Sequence, residues 1–311
     1  MQGSTVLNYV MAFTQSLAAQ AKRFKFPLLI AALFLFAGGL VVSVSALDLS
    51  LSDLALPPLL LLLFVLSPLT LAYSAINLQL MAKALGLQTG FWHGVRVSAY
   101  AQVAELLPIP GGAIVRTAAL RQKGGKLGAS SLIVLSFSLL WIACAAVAGA
   151  IAILGFEKEP TPALNLAAIG LLAFGGVTLV AMEILLMRRA GAGVALAALA
   201  YRIVGLLLIA ARIFVAFAII GLFVEPVSSL LFAFATILGS AASLVPSGLG
   251  IAEALSAALA ELTGTLAPAA AFLAIAINRI CGLLVNMTAA FFAFAFQREA
   301  TPTKVVNNGL S

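Results

Sequence analysis

The chain has 311 residues, of which 63% are hydrophobic and only 9% charged. So little charge excludes a soluble globular domain and predicts an all-α polytopic integral membrane protein without a separate aqueous domain. The net charge of +7 sits in short loops, where it sets topology and gives no reason to expect nucleic acid as a partner.

Residues 1–26 are mildly amphipathic and end in Lys22, Arg23 and Lys25, a basic cluster that predicts a cytoplasmic N-terminal segment. The first apolar run has no small-residue cleavage site behind it and reads as a retained signal anchor. A first span is predicted from Pro27 to Leu47, at about the 20 residues a crossing helix needs. Asp48 and Asp53 then mark an outer loop. A second span, 57–82, returns inside to Lys83, with Asn77 and Gln79 near its inner end as lining groups or helix–helix hydrogen-bonders. Trp92 and His93 read as an interfacial anchor. Residues 91–107 and 113–121 are apolar but short, and Pro108, Ile109, Pro110, Gly111 and Gly112 separate them. Proline removes a backbone donor and glycine loosens the helix, so backbone groups are freed at membrane depth. This predicts a re-entrant hairpin that enters and leaves on the cytoplasmic side, in agreement with Arg121, Lys123 and Lys126.

A third span, 127–154, leads out to Glu157, Lys158 and Glu159, and a fourth, 162–187, leads back to Arg188 and Arg189. After a Gly/Ala-rich linker, a fifth span over 201–223 reaches Glu225. Residues 227–245 and 249–263 flank a second break at Pro246, Gly248 and Gly250 and form a second hairpin that closes outside near Glu261. Alternatively, 227–245 crosses fully and 249–263 crosses back. A sixth span, 267–296, ends inside at Arg298, and 297–311 reads as a disordered cytoplasmic tail. Every loop then obeys the positive-inside bias.

The two breaks stand 138 residues apart, the first and fourth spans 135, and the third and sixth 140. These offsets predict a duplicated unit, with a first membrane repeat over 27–154 and a second over 155–296. Any polytopic chain shows some such spacing by chance, but the shared Pro-x-x-x-Gly argues for duplication. Three crossings and one hairpin per unit invert the second copy. The predicted fold is about six full transmembrane helices plus two re-entrant broken-helix hairpins in an inverted-topology repeat, with a working site near the midplane.

Arg116 follows the first break, Arg212 sits in the fifth span, and Arg279 sits in the sixth beside Asn278. A charge at that depth costs at least about 2.5–3.5 kcal/mol and needs an offset. Half-helices starting near Gly111, Gly112 and Gly250 also aim N–H groups inward. Arginines with helix N-termini suit a phosphate or carboxylate. The alternative is internal pairing of these arginines with Glu105, Glu183 or Glu253, or snorkelling. Glu253 is open to three roles: counter-charge closing the site, proton-coupling group, or salt-bridge partner. Glu105 reads as lying near the interface, and Glu183 as solvated near an inner helix end. One histidine makes no metal cluster, and nothing resembles a catalytic carboxylate pair, a Ser/His/Asp set or a phosphate loop. No cofactor and no catalytic residue is expected, and Cys144 and Cys281 read as packing residues.

Leu-Pro-x-Pro-Gly-Gly-x-x-x-Arg with a basic loop, then Pro-x-Gly-x-Gly-x-x-Glu and a span containing Asn-Arg, resembles the transmembrane region of the lysylphosphatidylglycerol synthase family. The resemblance covers nearly the whole chain and implies a stand-alone, flippase-like membrane module without the soluble synthase domain, hence without transferase activity. Pro108, Gly111, Gly112 and Arg116 match the first motif. Pro246, Gly248, Gly250 and Glu253 match the second, and Arg279 matches the later arginine. Family members often place an arginine in the span after the first motif, where this chain reads Leu135 to Trp141 without one. The resemblance implies a multi-pass protein of the bacterial cytoplasmic (inner) membrane, with both termini cytoplasmic, that translocates a polar, phosphate-bearing lipid headgroup. The substrate could be an anionic or zwitterionic phospholipid, a hopanoid or a polyprenyl-linked carrier. The rival expectations are an accessory lipid-carrier-binding protein serving a lipid-modifying enzyme, a membrane-embedded transferase, and an ion or small-solute transporter.

Overall fold

The computed structural model describes residues 30–106, 110–155, 161–241 and 248–299. The N-terminal segment, Pro108, Glu157, Lys158, Glu159, Pro246 and the C-terminal tail lie outside the described residues. Ten helices account for the fold: α1 (Ile30–Ala46), α2 (Leu56–Ala84), α3 (Phe91–Ala104), α4 (Gly111–Gln122), α5 (Leu127–Leu154), α6 (Pro162–Ala190), α7 (Ala192–Ile219), α8 (Pro226–Ala241), α9 (Ile251–Thr263) and α10 (Pro268–Glu299). No strand occurs among the described residues. Helices α2, α5, α6, α7 and α10 are long and apolar enough to cross a membrane, which makes this a multi-pass helical membrane protein. The described part of α1 is apolar but shorter. Helices α3, α4, α8 and α9 measure about 21, 18, 24 and 20 Å at 1.5 Å per residue, short of the roughly 30 Å hydrocarbon layer.

Local chemistry explains the boundaries. Between α1 and α2, the Ser50 hydroxyl and backbone N–H both donate to the Asp53 carboxylate, at 2.6 and 2.8 Å, and hold it below its ordinary pKa. Within α2 the backbone widens to a π-turn over Leu62–Leu66. The cause follows at once: Pro68 cannot donate and its ring crowds the carbonyl four residues back. Thr161 caps α6 by accepting from the Leu164 N–H, and Gly191 ends it with φ 88°. The Gly/Ala-rich linker expected before span five is instead the first three turns of α7. Alanine is the best helix former, and Val194, Ala195 and Ala198 are buried, so packing drew the stretch into the helix.

The short helices pair across each break, α3 with α4 and α8 with α9. Backbones nearly touch within each pair. A Cβ on Gly111 would run into the Ala104 carbonyl, and one on Gly239 would lie 2.6 Å from the Ala252 Cα. Helix α5 lies against α8, α10 lies against α3, and α2 crosses α7. At that crossing the Tyr73 and Tyr201 rings stack with centroids 4.3 Å apart and 1° between planes. Each hydroxyl donates to the other residue's carbonyl, at 3.1 and 2.7 Å.

Two large apolar clusters fill the bundle, with a smaller one around Leu71, Ala99 and Ala290. One gathers Leu62, Ala145–Ile153, Leu206–Ile220, Phe232 and Ile275. The other gathers Leu78, Val97, Leu120, Ile133–Leu140, Leu186 and Ala195. The tyrosine pair lies on α2 and α7 between the segments that enter the two large clusters. We expect Gly239→Val to lower thermal stability by about 1–3 kcal/mol through overpacking between α8 and α9. Gly170→Val, where nothing lies within 4 Å, should leave it unchanged; denaturation scans in detergent compare the two.

Candidate functional site

The α3/α4 break sets its charges by helix geometry. Glu105 is the residue just past α3, and Arg116 lies in the second turn of α4. Arg116 Nη2 approaches Glu105 Oε1 to 3.2 Å, with the two side chains 19% and 35% exposed. No side chain caps α4 at Pro110. The Glu105 side chain instead stands beside Gly112, where a Cβ would collide with its Oε1. A carboxylate therefore lies at the positive end of α4, where the helix dipole favours it.

The α8/α9 break repeats the theme with tighter packing. Gly250 starts α9 in the left-handed region, with φ 79°, again without a side-chain cap. Glu253, in the first turn of α9, is fully buried, and Arg279 Nε on α10 comes within 2.7 Å of its Oε1. Beside it, Asn278 accepts twice from Arg212 of α7: Nε donates to the side-chain Oδ1 at 3.0 Å and Nη2 to the backbone carbonyl at 3.0 Å. Arg212 Nη1 donates to Thr70 Oγ1 at 3.1 Å. Every guanidinium nitrogen of Arg212 thus has an acceptor.

Arg202 is the residue that sequence reasoning missed. With span five expected to begin at Tyr201, it stands at the predicted edge of that span and not in its interior. Because α7 starts at Ala192, Arg202 lies about 15 Å along the helix and is only 5% exposed. Its Nη2 donates to the Phe137 carbonyl at 2.9 Å and its Nη1 to the Tyr73 hydroxyl at 3.4 Å. Its guanidinium stands 5.4 Å from the Phe137 and the Trp141 ring centroids, a cation–π arrangement. The stretch from Leu135 to Trp141, which lacks an arginine of its own, thus receives one from α7.

The predicted residues form two groups. Gly250, Glu253, Arg279, Asn278 and Arg212 assemble around the α8/α9 break, while Gly111, Gly112 and Arg116 assemble with Glu105 around the α3/α4 break. Among the described residues no hydrogen bond or ion pair joins Arg116 to Arg279, Arg212 or Glu253. Pro108 and Pro246 lie outside the described residues; Pro110 precedes α4, and Gly248, φ 64°, packs its backbone on Gly239. Glu105 is the partner of Arg116, the internal pairing that is one of its two expected roles. Glu183, expected to be solvated, is buried at 8% exposure, and its Oε1 has no partner. Gln79 donates to the Thr89 carbonyl at 3.1 Å, whereas Asn77 Oδ1 finds no partner. Cys144 and Cys281 are buried free thiols. No cluster of His, Cys, Asp or Glu suited to a metal ion occurs among the described residues.

Fold and site together define the class: a multi-pass helical membrane protein with arginine–carboxylate pairs at two interrupted helix pairs. Compared with known proteins, the chain matches no family model and no curated protein.

Breaking the buried Glu253–Arg279 pair by Glu253→Gln or Arg279→Gln should each cost about 3–5 kcal/mol, because the surviving charge stays buried alone. The double variant should lose much less than the sum. The same cycle at the more exposed Glu105–Arg116 pair should give a coupling of about 0.2–1 kcal/mol, and equilibrium unfolding of the two sets measures the contrast.

Proposed function

We propose that the protein is a lipid flippase or translocase of a bacterial cytoplasmic membrane, moving a phosphate-bearing headgroup past two re-entrant hairpins. In this reading the α3/α4 and α8/α9 pairs enter from opposite faces and both termini are cytoplasmic. The basic residues Lys83, Arg121, Lys123, Lys126, Arg188 and Arg189 fall on alternate connections to the acidic Asp48, Asp53, Glu225 and Glu261. The halves 27–154 and 155–296 act as an inverted repeat. Supporting it are the exchange of partners between α5/α8 and α10/α3 and the mutual tyrosine stack at the α2–α7 crossing.

The observation that carries the proposal is the same at both breaks. An uncapped helix N-terminus and an arginine converge on one carboxylate, Glu105 at α4 and Glu253 at α9. This is how an anionic headgroup is held, with an internal carboxylate in the ligand's place. A headgroup phosphate would compete with Glu105 for Arg116 on one side and with Glu253 for Arg279 on the other. The carboxylate closes over the arginine when the headgroup leaves, so the site never leaves a bare cation in the membrane. The resemblance to the transmembrane region of lysylphosphatidylglycerol synthases points to the same substrate class.

Reconstituted in vesicles, the protein should accelerate transbilayer movement of fluorescent phosphatidylglycerol. Arg116→Ala and Arg279→Ala should each slow it about tenfold, the loss of one charge-assisted contact. Wild-type protein that accelerates no lipid would sink the proposal.

A further inference from the structure

Three glutamates stand within the helix packing, and two of them have a cation. Glu105 meets Arg116 at 3.2 Å and Glu253 meets Arg279 at 2.7 Å. Glu183 has none. It is 8% exposed, makes no ion pair among the described residues, and its Oε1 is buried without a hydrogen-bond partner.

Its place on α6 explains the enclosure. Leu179, Glu183 and Leu186 follow one another at i, i+4 and i+7, which is one face of a helix. Leu186 is fully buried, and Leu179 packs against the same apolar cluster, with Val134, Phe137, Leu140 and Ala198. Two turns back, a Cβ on Gly175 would stand 2.9 Å from the Ala143 carbonyl, so α6 lies hard against α5 there. Little of α6 is enclosed, yet its one acidic residue is on the enclosed face.

The elements packed against α6 bring Cys144 on α5, Tyr201, Arg202 and Arg212 on α7, and Tyr73 and Lys83 on α2. No hydrogen bond or ion pair joins any of them to Glu183, and the tyrosines and arginines donate elsewhere. On α6 itself, Arg188 and Arg189 are exposed in the last turn. A carboxylate that has lost its water and found neither cation nor donor is costly enough to take up a proton instead.

We propose that Glu183 is a proton-binding site. In this packing its carboxyl carries the proton, and it passes the proton to water when the basic end of α6 parts from α5. The path is short, since Glu183 stands about 10 Å along the helix from Ala190. A proton that favours one packing of these helices biases the bundle between two arrangements, and so makes it responsive to pH or to a proton gradient. This goes beyond the headgroup reading and does not depend on it.

Infrared spectra of the purified protein are the test. At neutral pH wild type should show the carbonyl stretch of a protonated carboxyl group, which Glu183→Gln removes and Glu183→Asp shifts. Glu261→Gln, at an exposed position, should leave the band in place. Equilibrium unfolding in mixed micelles gives a second readout. Glutamate in an unfolded chain ionises near about pH 4.3. A proton held in the fold and released on unfolding therefore lowers the folded-to-unfolded ratio about tenfold per pH unit above that value, until Glu183 ionises in the folded protein too. Glu183→Gln, which copies the shape of the protonated acid, should lack that part of the slope. A protonated band that survives in Glu183→Gln, or an ionised carboxylate band that this variant loses at neutral pH, would overturn the inference. Should Glu183→Gln fail to fold, an unshifted band in Glu183→Asp would overturn it equally. A proton bound at Glu183 without lipid movement in vesicles would retain the inference while removing the flippase reading.

Discussion

Four arginines lie inside this helical bundle, and protein groups replace much of the water each has lost, Arg202 Nε alone among the Arg202 and Arg212 guanidinium nitrogens keeping no hydrogen-bond partner. Transfer of a guanidinium to membrane depth costs at least about 2.5–3.5 kcal/mol, so helices cannot pack around one until acceptors are in place. Glu253 answers Arg279, Glu105 answers Arg116, and Asn278 with Thr70 answers Arg212. Tyr73, the Phe137 carbonyl and two aromatic faces answer Arg202. The acceptors come from α2, α5, α9 and α10 as well as from the α3/α4 junction, so satisfying four side chains fixes the relative positions of most of the bundle. In a lipid environment, where apolar side chains gain little by leaving the bilayer for each other, such polar ties have unusual weight in choosing one packing over others.

Helix α5 packs on α8 and α10 on α3, and Tyr73 and Tyr201 satisfy each other's hydroxyls. The two ion pairs differ in construction. Glu105 reaches forward to an arginine on its own pair of short helices, whereas Glu253 reaches across to α10. The first pair is partly open and the second sealed.

How far the chain was legible from sequence differs by feature. Charge at loop positions and long apolar runs marked the crossing helices α2, α5, α6 and α10 to within about three residues, whereas α7 begins nine residues before the predicted start of its span. Leu127 to Leu154 matched at both ends, because basic residues stop one end and a glycine the other. The breaks were legible because proline and glycine act locally. Burial was not: α5 and α6 are similarly apolar, yet most of α5 is enclosed and little of α6 is. Lipid and protein interior reward the same side chains, so composition says nothing about which helix is surrounded.

Sequence alone determined the membrane class, the all-helical fold, the two interruptions and three of the interior arginines, since each is written in hydrophobicity, backbone-breaking residues or a charge within an apolar run. Tertiary structure decided the pairings and the fourth arginine. Arg202 was hidden because residues 192–200 read as a Gly/Ala-rich linker, whereas packing of Val194, Ala195 and Ala198 makes them helix and carries the charge inward. Glu105 and Glu253 became partners of particular arginines only once the helices were placed. An ion pair depends on distances across the bundle, and nothing local in the chain specifies them.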